Sequence, residues 1–179
     1  HNARILPWRF FGRVKVDPYK VWISEIMLQQ TTVNAVIPYF KSFIQKWPTN
    51  NTLCKADLSE VLNIWSGLGY YSRARNIHRC SSIVNRDYNN SFPDREMDLL
   101  KLPGIGSYTA AAILTIAFNK RAVVIDGNIK RVISRLFFLE KPIKENYKQI
   151  WKFTDLITPY SRVGDFAQSL MDLGSQVCT

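Results

Sequence analysis

Apolar positions recur at helical spacing along most of the chain. Val33, Val36, Ile37, Phe40, Phe43, Ile44 and Trp47 follow the i, i+3, i+4, i+7 pattern of one buried helix face. Just upstream, Asp17-Pro18 offers an N-cap and a proline at the first helical position, which predicts a helix from Tyr19 to about Gln30. Pro38 lacks a backbone donor and predicts a kink or early break in the second helix. Asp57 and Glu60 form a D-x-x-E capping pattern ahead of Leu58, Val61, Leu62 and Trp65, and Gly67 fits a helix stop. Beyond the turn at 67–71, a basic helix is expected to turn Arg73, Arg75, His78 and Arg79 outward, with Ala74, Ile77 and Val84 inward. A short helix with Met97, Leu99 and Leu100 precedes a turn, and an alanine-rich helix from Thr109 to Phe118 follows it. Later helices are expected over 131–139, 147–157 and 165–173, the last stopped by Gly174. Val123-Val124-Ile125 is the one strand-like run and is too short to build a sheet. The pattern predicts an all-α fold.

A chain of 179 residues holds one large domain or two small ones sharing a core. The net charge of +10, from 24 Lys and Arg against 14 Asp and Glu, changes the picture, because a surplus of that size points to a polyanionic partner. Solubility alone is the plainer reading of the same charge. No apolar run approaches the roughly 20 residues that span a bilayer, and no signal-peptide core opens the chain. Three widely separated cysteines, Cys54, Cys80 and Cys178, make no disulfide framework and point to a reducing, intracellular compartment. The chain opens on His1 and stops just after Cys178, as expected of a fragment.

Three places could carry chemistry. Leu102-Pro103-Gly104-Ile105-Gly106-Ser107-Tyr108-Thr109-Ala110 joins two helical patterns. Its two glycines permit a tight turn with positive φ and leave amides at a helix start free to hold a phosphate. A plain helix–helix connection uses the same residues. Glu25 has Val21, Trp22, Leu28 and Gln29 as its helical neighbours, which would desolvate the carboxyl, raise its pKa and suit it to donate a proton. A glutamate reaching water from the rim of a core fits equally well. Asp126, after the short apolar run, reads locally as a turn residue or helix N-cap.

A hairpin followed by this aspartate resembles the helix-hairpin-helix superfamily of DNA glycosylases. Within it, four blocks in order resemble the MutY-type adenine DNA glycosylases: Trp22-Ile23-Ser24-Glu25-Ile26-Met27-Leu28-Gln29-Gln30-Thr31, then Gly67-Leu68-Gly69-Tyr70-Tyr71-Ser72-Arg73-Ala74-Arg75, then Asp126-Gly127-Asn128-Ile129-Lys130-Arg131-Val132, then Met171-Asp172-Leu173-Gly174. The likeness runs from Leu6-Pro7-Trp8-Arg9 to Cys178. It implies a six-helix barrel over 18–121 carrying the hairpin, packed against a second helical domain from both chain ends, 1–17 and 122–179. It also implies excision of adenine mispaired with 8-oxoguanine or guanine, with double-stranded DNA as partner, met by a monomer with no membrane contact.

The resemblance assigns roles residue by residue. Glu25 is the general acid and Asp126 the carboxylate that steadies positive charge on the sugar, the pair that hydrolysis of a glycosidic bond requires. Tyr108 stands where endonuclease III enzymes carry a lysine nucleophile, which implies base removal without strand cleavage. Gln30 and Tyr70 wedge into the stack, with Thr31 and Leu68 beside the opposite base, while packing against Trp65 is the plainer reading of Tyr70 and Leu68. Gly104, Gly106 and Ser107 hold a phosphate, Lys130 is structural or phosphate-facing, and Arg9 lies near the extruded adenine. The stretch from Phe10 to Val16 is longer than the family pattern leads one to expect. Cys178 resembles the first of four ligands of a [4Fe–4S] cluster, expected in the intact protein and absent from this fragment. Cys54 and Cys80 are expected in the core. A sister glycosylase acting on thymine mismatches or oxidised pyrimidines, and a non-catalytic DNA-binding module, are the competing readings.

Overall fold

A computed structural model describes residues 4–10 and 16–179 of the chain. Among the described residues every regular element is an α-helix, as the apolar spacing predicts, and no helix is long and apolar enough to cross a membrane. They group into two compact units, Ile5–Ala110 and a second made of Arg4 with Ala111–Thr179.

In the unit Ile5–Ala110, α1 (Pro18–Leu28) is the central helix. The Asp17 side chain accepts from the Tyr19 amide at 3.0 Å and starts it, as expected of Asp-Pro. Residues 21–27 are all buried, so α1 is covered on every side rather than along one stripe. It packs on α2 (Val33–Lys46) and on α5 (Ser72–Tyr88), while α3 (Asn50–Leu53) and α4 (Leu58–Trp65) also pack on α5. Trp22, Phe43, Trp65 and Ile77 are all fully buried in this core, Phe43 edge-on to Trp65. α6 (Glu96–Leu99) leads to the hairpin and α7 (Ser107–Phe118), within which the boundary between the units falls.

Pro38 neither breaks nor ends α2, because it is exposed, and so is Asn34, whose carbonyl loses its helical donor. Asp57 precedes α4 but its side chain makes no cap bond, and Glu60 instead pairs with Lys46 at 2.8 Å. Cys80 is buried, and burial pushes its thiol pKa up. Cys54 is only half-buried at the end of α3, where its thiol donates to the Asn51 carbonyl.

The second unit is built on α8 (Gly127–Leu136), α9 (Tyr147–Ile157) and α10 (Val163–Gln176). α8 packs on both of the others. It starts at Gly127, ahead of the expected Arg131, because Asp126 caps it, and ends before Phe138, which takes a left-handed φ of 51°. Phe137 stacks on Phe153 with centroids 4.2 Å apart. Arg4 reaches α10 through Asp172 and Ser175.

Gly174 does not stop α10 but lies inside it. A Cβ there would stand 2.6 Å from the Asn128 Cβ and 2.9 Å from its carbonyl oxygen. The glycine is therefore a point of close approach between α10 and α8. Gly174→Ala should cost about 1–3 kcal/mol of stability, the usual toll of overpacking, read as a lowered urea midpoint with unchanged m. An unshifted midpoint would refute the close contact.

Candidate active site

The burial of α1 decides the environment of Glu25. Its side chain faces inward in an almost wholly enclosed helix and keeps only 7% of its surface exposed, flanked by buried Val21 and Trp22. The rim reading of this residue is thereby set aside. The Tyr108 hydroxyl donates to Glu25 Oε2 at 2.8 Å. One turn on, at the C-cap of α1, Gln29 Nε2 donates to Thr109 Oγ1 at 3.4 Å, so two successive hairpin-helix residues meet one side chain of α1 and one at its end.

The hairpin is anchored by Leu102 and Ile105, both buried. Only one of its two glycines turns the chain. Gly104 has φ +79°, and a Cβ on it would come within 2.9 Å of the Asn76 Cβ. Gly106 has no positive φ and open space around it, so its value is an uncovered backbone beside exposed Ser107, not a special conformation. The first amides of α7, at a helix start, have no intrahelical acceptor of their own.

Gln30, Thr31, Leu68 and Tyr70 are brought together by a residue that sequence reasoning placed on the outside. Arg73 is buried, at 7% exposure. Its Nη1 donates to the carbonyls of Ile26, Met27 and Gln29, and its Nη2 to Thr31 Oγ1 and the carbonyls of Leu68 and Gly69. Burial lowers the guanidinium pKa from its usual value. Gln30 and Tyr70, each in a left-handed conformation, are exposed, whereas Leu68 is buried. No local signal singles Arg73 out: a cation in the first turn of a helix meets an unfavourable dipole, but on a basic helix that does not distinguish it from its neighbours.

In the second unit, Asp126 is the N-cap of α8, as its local sequence predicts. Oδ1 accepts from the Ile129 amide at 2.7 Å and Oδ2 from Asn128 Nδ2 at 2.9 Å. Asn128 in turn accepts from Arg131 at 3.0 Å, and Arg131 donates to the carbonyls of Gly174 and Cys178. The Asp-Gly-Asn and Met-Asp-Leu-Gly blocks are thus one hydrogen-bonded assembly around the carboxylate. Nothing local in the sequence marks Asn128, because an Asn near a helix start is ordinary. Lys130 sits 5.4 Å over the Tyr147 ring.

Arg9 is half-buried in a turn closed by its amide on the Leu6 carbonyl. Of the long stretch after it, residues 11–15 lie outside the described residues. The residues present do not fit an iron–sulfur cluster, which takes four thiolates. Cys178 Sγ accepts from Arg135, and no group of three potential ligands occurs among the described residues.

Comparison with known proteins agrees with this architecture. The family model for HhH-GPD superfamily base excision DNA repair proteins matches residues 23–155. An adenine DNA glycosylase of Buchnera aphidicola subsp. Baizongia pistaciae is 46% identical over 177 residues, 99% of this chain and 49% of the relative. The adenine DNA glycosylase of Homo sapiens is 40% identical over 185 residues, 99% of this chain and 34% of the relative. The chain spans about half the length of the Buchnera relatives it matches, 49–51%. A thermostable thymine-DNA glycosylase superposes with a TM-score of 0.86 at 31% identity, covering 99% of this chain and 81% of the other. An endonuclease III trapped as a covalent intermediate with DNA superposes with a TM-score of 0.81 at 25% identity, covering 99% and 80%. The chain belongs to the HhH-GPD superfamily of base excision DNA repair proteins.

Proposed function

We propose that this chain is the catalytic part of a monofunctional DNA glycosylase that removes adenine mispaired with 8-oxoguanine or guanine by hydrolysing the N-glycosidic bond. The observation that carries the reading is the Tyr108–Glu25 hydrogen bond. The hairpin residue holds a buried carboxyl group and offers no amine for a Schiff base, which favours hydrolysis over lyase chemistry. Identity to adenine DNA glycosylases over nearly the whole chain supports the choice of base.

In this reading Glu25 donates its proton to a ring nitrogen of adenine, and the bonding electron pair leaves with the base. The Asp126 carboxylate opposes the positive charge left on the sugar. Water then adds to that carbon, and the carboxylate left at Glu25 is the base that takes its proton. Gln30 and Tyr70 fill the stack vacated by the extruded nucleotide, with Thr31 and Leu68 supporting them. Exposed Gly104, Gly106 and Ser107 lie where the hairpin meets a phosphate, with α7 amides as donors. Lys130 and Arg9 are the remaining DNA contacts in this reading. The substrate is duplex DNA bound by one copy of the protein, in an intracellular compartment that holds DNA.

The test incubates the full-length protein with duplexes carrying adenine opposite 8-oxoguanine, adenine opposite guanine, thymine opposite guanine, or thymine glycol, with and without alkali. Breaks at adenine that require alkali are expected. Breaks confined to a pyrimidine, or breaks at adenine without alkali, would overturn the reading. Binding without any abasic product would reduce the protein to a DNA-binding module.

A further inference from the structure

Arg73 does more than fill the core. Its six oxygen acceptors lie on two separate stretches, 26–31 and 68–69, drawn together at one guanidinium. On the first stretch it meets the last carbonyls of α1, where the helix dipole favours a cation. The remaining acceptors flank the two left-handed residues. Gln29 O, at 2.5 Å, and Thr31 Oγ1, at 3.1 Å, lie on either side of Gln30, whose φ is 55°. Gly69 O, at 3.2 Å, lies directly before Tyr70, whose φ is 50°. Residues with a Cβ hold such a conformation only when their surroundings fix it. The Tyr70 ring stands 5.3 Å from the guanidinium and the Trp65 ring 5.4 Å, and Trp65 Nε1 adds a 2.9 Å bond to the same Gly69 oxygen. Past this knot, Tyr70 keeps 59% of its surface exposed and Gln30 is exposed too.

We propose that Arg73 is a positioning residue that grips the peptide groups beside Gln30 and Tyr70, so that the two side chains enter the base stack as one preset wedge. This rests on the glycosylase reading above. A lysine in its place brings a single nitrogen, which cannot serve both stretches with the planar fork of a guanidinium. A glutamine brings one amide and no charge.

The test compares full-length wild type, Arg73→Lys and Arg73→Gln in single-turnover excision of adenine opposite 8-oxoguanine. One duplex is fully paired around the mispair, and in the other the same mispair is flanked on both sides by unpaired bases. Duplex affinity and helix content by circular dichroism are measured alongside. If Arg73 acts by shaping the wedge, both variants keep wild-type helix content and bind duplex within about threefold. Their rate on the fully paired duplex should fall at least about tenfold, Gln more than Lys, because opening the stack is the costly step there. On the loosened duplex the fall should stay within about threefold. A fluorescent 2-aminopurine beside the mispair should brighten less with the variants than with wild type. Equal losses on both duplexes, or no loss on either, overturn the proposal. Loss of helix content in both variants overturns it as well, since a grip on two loops would leave the helices standing. A wild type that excises adenine from neither duplex would sink the glycosylase reading and this proposal together.

Discussion

Glu25→Gln should leave a folded protein that binds duplex DNA almost as well as wild type and removes essentially no adenine. The substitution keeps the shape of the side chain, and its amide oxygen still accepts from the Tyr108 hydroxyl now bonded at 2.8 Å. A neutral amide is no harder to bury than a carboxyl group, so the α1 core is undisturbed. What disappears is the proton. General acid catalysis contributes about 10²–10⁴-fold, and adenine leaves poorly without protonation, so a single-turnover rate should fall by about that factor or more. Anisotropy with a labelled duplex should show affinity within about threefold of wild type, since phosphate contacts dominate it. Residual excision within tenfold of wild type would remove Glu25 from the role of acid.

Asp126→Asn should separate the capping role of this carboxylate from the catalytic one proposed for it. As an N-cap, asparagine is as good as aspartate, so the bond from the Ile129 amide survives. The bond from Asn128 does not, because two amide nitrogens would face each other unless one side chain turns over. The stability cost is about 1 kcal/mol, visible as a small shift in the urea midpoint. Excision should fall far more, about 10²–10³-fold, the toll of removing one electrostatic partner from a developing charge. Stability and activity falling in proportion would mean that Asp126 is a cap and nothing else. Activity within a few fold of wild type would point the same way.

Much of the framework is legible in the chain because short-range physics sets it. Asp17-Pro18 announces α1, Gly67 ends the turn after α4 with φ +95°, and Leu102 with Ile105 brackets the hairpin as buried anchors. The neighbours of Glu25 leave a desolvated carboxyl and a rim glutamate equally open, and only the burial of α1 in the fold chooses between them. Features that depend on residues distant in sequence are not legible in this way. Arg73 looks like one more basic residue on a basic helix, until its acceptors 42–47 positions upstream are known. Gly174 reads as a helix stop because a sequence does not show Asn128 lying against it. Pro38 reads as a breaker because exposure of its face cannot be counted from spacing alone. Asp57 fails as a side-chain cap although it stands in the right register, and Glu60 turns to Lys46 instead. The family resemblance offers candidate site residues; it does not reveal how Asn128, Arg131 and Gly174 tie the Asp126 loop to α10.

The packing of α10 on α8 also limits how far the molecule can be trimmed. Ile129, Val132 and Ile133 line the inner side of α8, and the carbonyls that Arg131 grips belong to the last turn of α10 and to Cys178. A fragment ending before Gly174 would lose the close approach of α10 to Asn128 and strip Arg131 of both carbonyl acceptors. The smallest piece able to present Asp126 in its observed pose therefore reaches at least to Cys178, about fifty residues past the aspartate itself.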